Sequence, residues 1–254
     1  MPSTNAVTDY GTVRELRLDR PPANALAPDL IAALREAVAA APAAGARALV
    51  LSGAPGRFSG GLDVPLLLTL ERPAIVAVWR DFYALLQGLA ASPIPIAAAI
   101  TGHAPAGGTV LPLYCDWRVM AEGDWKLGLN EVQVGLALPP VIFAALKRQV
   151  GPRLAERLAV TGLLVSPAEA ARLGLVDELV PAERVVERAV EWCQGLLGLP
   201  PEAMARTRQE ARADLVALFD HVEREIETTA EIWWRPEAQT VLRGLVEQLA
   251  KKKR

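Results

Sequence analysis

Cysteine and histidine are scarce in these 254 residues, with two of each. Cys115 and Cys193 cannot build a disulfide framework, and so low a count fits a reducing compartment. His103 and His221 leave no basis for a histidine-rich metal site. Aromatic residues make up 5% of the chain, so its core must be aliphatic and rich in alanine. Positive charge is not in excess: 27 Lys and Arg face 29 Asp and Glu, and four of the cations are the terminal run Lys251–Arg254. That balance argues against a nucleic-acid binder. No run of eighteen uncharged apolar residues occurs, so no membrane span is expected. The polar start Met1–Gly11 lacks the apolar centre of a signal peptide. The last residues are not Ser-Lys-Leu, so no peroxisomal address of that type is read, and a cytoplasmic location is expected. What is present is a globular composition, 52% hydrophobic and 22% charged. The length suffices for one or two domains that bury about three quarters of the unfolded surface.

The first half alternates strand-like and helix-like patterns. Val13, Leu16 and Leu18 suggest a strand that ends at Asp19-Arg20-Pro21-Pro22. Leu30, Ile31, Leu34 and Val38 recur at helical spacing behind Pro28. Ala48–Leu51 and Ile94–Ile100 read as buried strands, with helix propensity from Pro73 to Leu89 between them. Trp117–Met120 and Trp125–Leu127 suggest short strands, and Asn130–Pro140 a loop. From Val141 onward the pattern is almost wholly helical. Ser166-Pro167-Ala168-Glu169 opens one helix with a serine cap, and further helices fill Ala182–Gly198, Pro201–Leu218 and His221–Ala250. The expected division is a core over 1–195 and a helical region over 196–254.

Two of the buried strands run into glycine-rich turns, Gly53 through Asp63 and Gly102 through Gly108. Such turns keep side chains away, and their backbone N–H groups can converge on one spot. One N–H from each loop would suffice to hold a developing oxyanion. Tight turning alone is the plainer account of either loop taken singly. Other patterns fail. The first loop lacks the Lys and hydroxyl of a phosphate-binding loop, and Ser59 is misplaced for a nucleophile elbow. His103 reads as a turn or surface residue, His221 as a solvated one and Cys115 as a small buried hydrophobe.

Phe58-Ser59-Gly60-Gly61-Leu62-Asp63, then Pro105-Ala106-Gly107-Gly108 through Cys115-Asp116, then Gly128-Leu129-Asn130-Glu131 through Gly135 resemble the crotonase (enoyl-CoA hydratase/isomerase) superfamily. Ser166-Pro167-Ala168-Glu169-Ala170 and Leu173–Asp177 resemble its next landmark, and the match runs in order over about residues 10–250. The resemblance implies an α/β fold with a ββα spiral core and a helical C-terminal trimerisation region. It also implies an acyl-CoA thioester as substrate and no cofactor, coenzyme A being part of the substrate. The oxyanion donors would be the N–H groups of Gly60 and Gly107. Substrate-binding positions would be Ala23, Ala25, Ser59, Gly61, Leu62, Asp63, Gly108, Asn130 and Leu138.

Hydratases of this superfamily carry two glutamates. Here the first of those positions is Val110 and the second is Glu131. Adding water needs one carboxylate to activate it and usually a second for the other proton. Shifting a double bond needs only one. The pattern most resembles the mitochondrial-type Δ3,Δ2-enoyl-CoA isomerases, except that Gly60 replaces their usual Ala. Glu131 is thus expected to be the catalytic residue, raised in pKa by its apolar neighbours. Read alone, it would be a loop carboxylate capping a helix. Asp63 is expected to cap the helix after its loop, although it could be catalytic in some relatives. Asp116 is expected to pair with backbone or with Arg118. A hydratase, another one-carboxylate reaction of the superfamily and a non-catalytic acyl-CoA-binding paralogue stay open. Acyl length would depend on Val64–Trp79, expected to be mobile. The tail Lys251–Arg254 is expected to be solvated, although it could meet a coenzyme A phosphate. Trp233, Trp234, Leu242, Leu245 and Leu249 form an apolar stripe that a monomer would struggle to cover, which favours a homotrimer or a dimer of trimers.

Overall fold

The computed structural model describes residues 5–252; Met1–Thr4 and the last two residues of the basic tail lie outside it. The chain opens with a strand that its polar sequence did not suggest, β1 (Asn5–Tyr10), which turns at Gly11 (φ 67°) into β2 (Val13–Leu18). β1 pairs antiparallel with β2 at the sheet edge. An edge strand with an exposed face needs no apolar alternation, which is why it escaped the pattern. Helix α1 (Pro28–Ala40) starts with proline and buries Leu30, Ile31, Leu34 and Val38, the residues whose spacing announced it.

Three strand–strand–helix units follow. The first is β3 (Ala48–Ser52), β4 (Gly56–Arg57), the single turn α2 (Val64–Leu67) and the long α3 (Arg72–Ala91). Most of the segment expected to be mobile is therefore helical. The second is β5 (Ile96–Ile100), β6 (Gly102–Pro105) and α4 (Gly107–Leu113). The third is β7 (Trp117–Ala121), β8 (Leu127–Gly128), a 3-10 turn over Glu131–Val134 and α5 (Pro140–Val150). The expected loop over 130–140 thus contains a helical turn, and the expected strand near Trp125 begins only at Leu127. Next come α6 (Pro152–Thr161), α7 (Pro167–Leu173), β9 (Glu178–Val180), α8 (Val185–Leu196), α9 (Pro201–Ala211), α10 (Ala213–Ala217), α11 (Val222–Trp233) and α12 (Pro236–Lys252). β9 interrupts a stretch read as helical. It is three residues long, too short for periodicity to reveal.

The strands form a six-stranded sheet, β1-β2-β3-β5-β7-β9, parallel from β2 onward, and a small parallel sheet, β4-β6-β8. Both faces of the large sheet are covered, as a parallel sheet requires. Leu49, Leu51, Ile96, Ala98, Ile100 and Met120 face the main core. The alternate residues Ala48, Val50, Ala97, Ala99, Val119 and Ala121 face Val185, Ala189, Val190 and Cys193 of α8. Alanines on that face let α8 lie close. Helix α3 is long and apolar enough, by length and composition, to cross a membrane. Here its Ile75, Val78, Phe82, Leu86 and Leu89 belong to the main core.

The C-terminal helices belong to that same core. Phe219, Ile226, Trp233 and Leu242 are packed in one cluster with residues of β2, α1 and α3. Residue 195 therefore marks no break between two cores. The apolar stripe assigned to a subunit contact is largely used within the chain: Trp233 and Leu242 are 0% exposed, and Trp234 is 36% exposed. Asp116 does accept a backbone N–H, from Ile96 at 2.7 Å. Its arginine partners, however, are Arg208 at 3.0 Å and Arg212 at 2.9 Å. Arg118 pairs with Asp177 at 2.8 Å instead. Arg208 also donates to the carbonyls of Leu89, Ala90 and Ser92, at the C-terminal end of α3. Because Trp233 is wholly buried among residues of the main core, Trp233→Ala should destabilise the fold by about 3–5 kcal/mol, read as a lowered midpoint in urea unfolding. A change below 1 kcal/mol would mean that the C-terminal helices are not part of the core.

Candidate active site

Each strand of the small sheet ends in a loop, and the three loops meet. The first, Phe58–Asp63, has almost every N–H engaged. Phe58 and Ser59 donate to the His103 carbonyl, at 3.0 and 3.3 Å, and Gly60 donates to the Ala23 carbonyl at 2.8 Å. Gly61 donates to Ser59 Oγ at 3.2 Å, and Asp63 to the Leu26 carbonyl at 3.2 Å. Leu62 alone in this loop has an N–H with no acceptor among the described residues. The expected donor Gly60 is thus already hydrogen-bonded, and Leu62, expected only as a binding residue, carries the unengaged group. The difference is one of chain direction. Leu26 and Leu62 form a parallel bridge in which Leu26 N–H donates to Gly61 and Asp63 N–H to Leu26. That pairing turns the N–H of the intervening residue the other way.

The second loop is held in a turn that side chains rarely tolerate. Ala106 has φ 50° and ψ −123°, a conformation that costs of order 1–3 kcal/mol outside glycine. Its N–H donates to Gly128 at 2.8 Å, and its carbonyl accepts from Thr109 and Val110. Gly107, the first residue of α4, keeps an unengaged N–H, as first-turn residues do. The two loops touch through glycine. A β-carbon on Gly108 would lie 2.5 Å from the Ser59 carbonyl oxygen, and one on Gly107 would lie 2.9 Å from Leu26 and 3.6 Å from the Leu62 nitrogen.

The third loop brings Asn130 and Glu131. The Glu131 carbonyl accepts from Leu136 at 3.0 Å, which closes the 3-10 turn. Its Oε2 is buried without a hydrogen-bond partner, and so is Asn130 Oδ1. Burial pushes the Glu131 carboxyl up from 4.5 to about 7, opposed only by a hydrogen bond from its own backbone. These groups line a cavity of about 450 Å³ together with Gly60, Leu62, Gly107 and Val110. Glu131 is the only carboxylate among the lining residues, and none of them is basic. The remaining walls are apolar: Trp79 and Phe82 from α3, Ile142 from α5, Ile232 from α11, and Leu245 and Leu249 from α12.

Of the expected site residues, the structure brings Gly60, Leu62, Gly107, Asn130 and Glu131 to the cavity wall. Ala23, Ala25, Ser59, Gly61, Asp63, Gly108 and Leu138 do not line it. Ser59 is buried and donates its hydroxyl to the Asn24 carbonyl at 2.7 Å. Ala23 accepts from Gly60, Gly108 packs on Ser59, and Leu138 lines a neighbouring cavity. Asp63 caps α2 through Leu66 N–H at 3.1 Å and pairs with Arg20 at 2.6 Å. His103 accepts the Lys126 N–H at 3.1 Å, a structural contact. Val64, Pro65 and Trp79 line the cavity and fall within the segment expected to govern acyl length, whereas Phe82 of α3 and the walls from α5, α11 and α12 were not assigned to the site. The apolar stripe ending in Leu245 and Leu249 was the available signal, and it had been assigned to another subunit.

A family model described as enoyl-CoA hydratase/isomerase matches residues 8–246. The probable enoyl-CoA hydratase EchA17 of Mycobacterium tuberculosis is 36% identical over 197 residues, which is 76% of this chain and 74% of that protein. The mitochondrial enoyl-CoA delta isomerase 1 of Mus musculus is 34% identical over 208 residues, 81% of this chain and 72% of its own. Among solved structures, the human mitochondrial delta3-delta2-enoyl-CoA isomerase superposes with a TM-score of 0.95 at 28% identity, covering 99% of this chain and 100% of that one.

A raised carboxyl pKa is also a statement about stability. Below pH 4.5 Glu131 is protonated in both folded and unfolded chains, and nothing is lost. Between 4.5 and about 7 the unfolded chain releases its proton while the folded one retains it, so stability falls as pH rises. Glu131→Gln removes this loss. Urea unfolding should show the variant more stable than the parent by about 3 kcal/mol at pH 8, with little difference at pH 4.5. Equal stability at pH 8 would show that the carboxylate is not desolvated.

Proposed function

The chain belongs to the enoyl-CoA hydratase/isomerase family, and from that premise we propose that it is a Δ3,Δ2-enoyl-CoA isomerase with Glu131 as its single acid and base. The observation that carries this reading is the lone carboxylate in a mostly apolar cavity, with its buried Oε2 unpartnered. Val110, 1% exposed, forms the wall where a second acid would have to stand.

In this mechanism the thioester oxygen sits between the N–H groups of Leu62 and Gly107. Both donate to it more strongly as it becomes an enolate, which lowers the barrier rather than merely tightening binding. The Glu131 carboxylate takes a proton from C2. The electron pair delocalises over the carbonyl oxygen, C2 and C4 as the double bond leaves C3–C4. Glu131, now protonated, delivers the proton to C4, and the C2–C3 double bond forms in conjugation with the thioester. A carboxyl poised near pH 7 suits both half-reactions, because neither loss nor gain of the proton is steeply uphill. The thioester itself acidifies C2, so these steps call on no metal or redox cofactor. Hydration is the rival, and the similarity to a probable hydratase keeps it in view. It would require the same glutamate to activate water and to supply the second proton.

We further propose a homotrimer or a dimer of trimers in the cytoplasm. Trp234, just past the end of α11, and Val241 on α12 are exposed and available for a subunit contact, and light scattering at micromolar concentration would reveal a monomer if this is wrong.

Purified protein should convert trans-3-enoyl-CoA to the 2-enoyl isomer much faster than it hydrates the latter. Hydration at an equal or greater rate would overturn the assignment. Glu131→Gln should cost at least about 10³-fold in isomerase kcat, within the range for general acid–base catalysis. Asp63→Asn should cost far less. In the parent protein, kcat/KM should rise with pH and level off above an apparent pKa near 7, because the free enzyme must hold Glu131 as carboxylate. A flat profile from pH 5 to 9 would remove Glu131 as the base.

A further inference from the structure

The catalytic cavity has a neighbour. A second cavity, about 930 Å³ in volume, opens beside it. Ala137, Pro139, Thr229 and Ile232 line both, so these four residues form the partition between them. The two sides differ in chemistry. On the catalytic side the partition continues into Trp79, Phe82 and Ile142. On the outer side it meets Leu138 and Pro140 but also Asp220, His221, Glu223, Arg224 and Glu225. An alkyl tail is better matched to the catalytic side than to the outer one.

The partition is pinned in place. The Tyr83 and Thr229 hydroxyls are 2.9 Å apart and buried. Thr229 Oγ1 donates to the Glu225 carbonyl at 2.7 Å, so Tyr83 is the donor in the pair. Trp79, one turn before Tyr83 on α3, lies against that ring with centroids 6.1 Å apart. Thr229 therefore has no hydrogen left to donate to a substrate. Its neighbour one turn on, Ile232, is half-buried and lines both cavities.

We propose that the Thr229–Ile232 partition sets the upper limit on acyl length, so that the substrates are apolar acyl-CoA thioesters of medium length. This rests on the acyl-CoA reading given above. At roughly 30 Å³ per water-sized group, 450 Å³ holds on the order of fifteen heavy atoms. Allowing for the thioester sulfur and oxygen and for incomplete filling, that leaves about ten to twelve acyl carbons. Longer tails would have to cross the partition toward charged side chains.

The test is a binding series with saturated acyl-CoA thioesters of four to sixteen carbons, followed by calorimetry, beside kcat/KM for 3-enoyl-CoA substrates over the same lengths. In the parent protein, affinity should rise by up to about fourfold per buried methylene and stop rising near ten to twelve carbons. Ile232→Ala removes three carbons from the wall and should move that break about three carbons longer; Ile232→Phe should move it about three carbons shorter. The ratio of kcat/KM for the fourteen-carbon over the six-carbon substrate, taken within each protein, should move the same way. A break at the same length in the parent and in either folded variant, or no break up to sixteen carbons, would overturn the proposal. A shifting break in a protein that isomerises nothing would uphold the partition and remove the isomerase reading. If no thioester binds at any length, both fall.

Discussion

Two stretches of backbone in this molecule touch with no side chain between them. Ser59–Leu62 lies against Gly107–Gly108 so closely that a single methyl group on Gly108 would collide with the Ser59 carbonyl. The small parallel sheet sets this contact. β4 and β6 pair at Gly56 and Gly102, where a β-carbon on Gly102 would lie 2.0 Å from the Gly56 carbonyl carbon. The pair of free backbone N–H groups follows from that approach. It brings the Leu62 and Gly107 nitrogens to the same cavity, beside the positive-φ turn at Ala106. The glycines are therefore constraints of contact first, and conformational freedom is a secondary benefit.

The site is built against the stability of the fold in two places. Ala106 holds a strained backbone, and Glu131 and Asn130 each bury an oxygen without a partner. Unsatisfied buried polar atoms are rare in folded proteins and cost about 1–3 kcal/mol each. The surrounding packing is dense enough to absorb this. Residues from α1, α3, α5, α11 and α12 share one continuous core, so local strain is opposed by contacts drawn from most of the chain.

Much of this was legible in the sequence because it depends on local chemistry. The Ser166 cap on Glu169 N–H, the buried face of α1 and the paired glycine loops all leave short, regular signatures. Glu131 stood out only through its place in the resemblance to the superfamily; read alone it is a loop carboxylate with apolar neighbours. What was not legible depended on direction or distance. Whether Gly60 or Leu62 presents a free N–H is decided by which way a parallel bridge with Leu26 runs, and residue type carries no trace of that. Likewise an apolar stripe on a C-terminal helix looks the same whether it covers the chain's own cavity or a neighbour's surface. Strands β1 and β9 were missed because one lies at an edge and the other is three residues long, and neither shows alternation.

The arginine at position 208 has a consequence for how the molecule is assembled. The carbonyls that close the C-terminal end of α3 have no partner nearby in sequence; they are satisfied by a guanidinium arriving 118 residues later. Without α9 docked, those carbonyls would be buried without partners, a state that backbone groups rarely bear. Trp79 and Phe82 stand on this same helix, so one wall of the cavity belongs to an element whose end is secured from the C-terminal part of the chain.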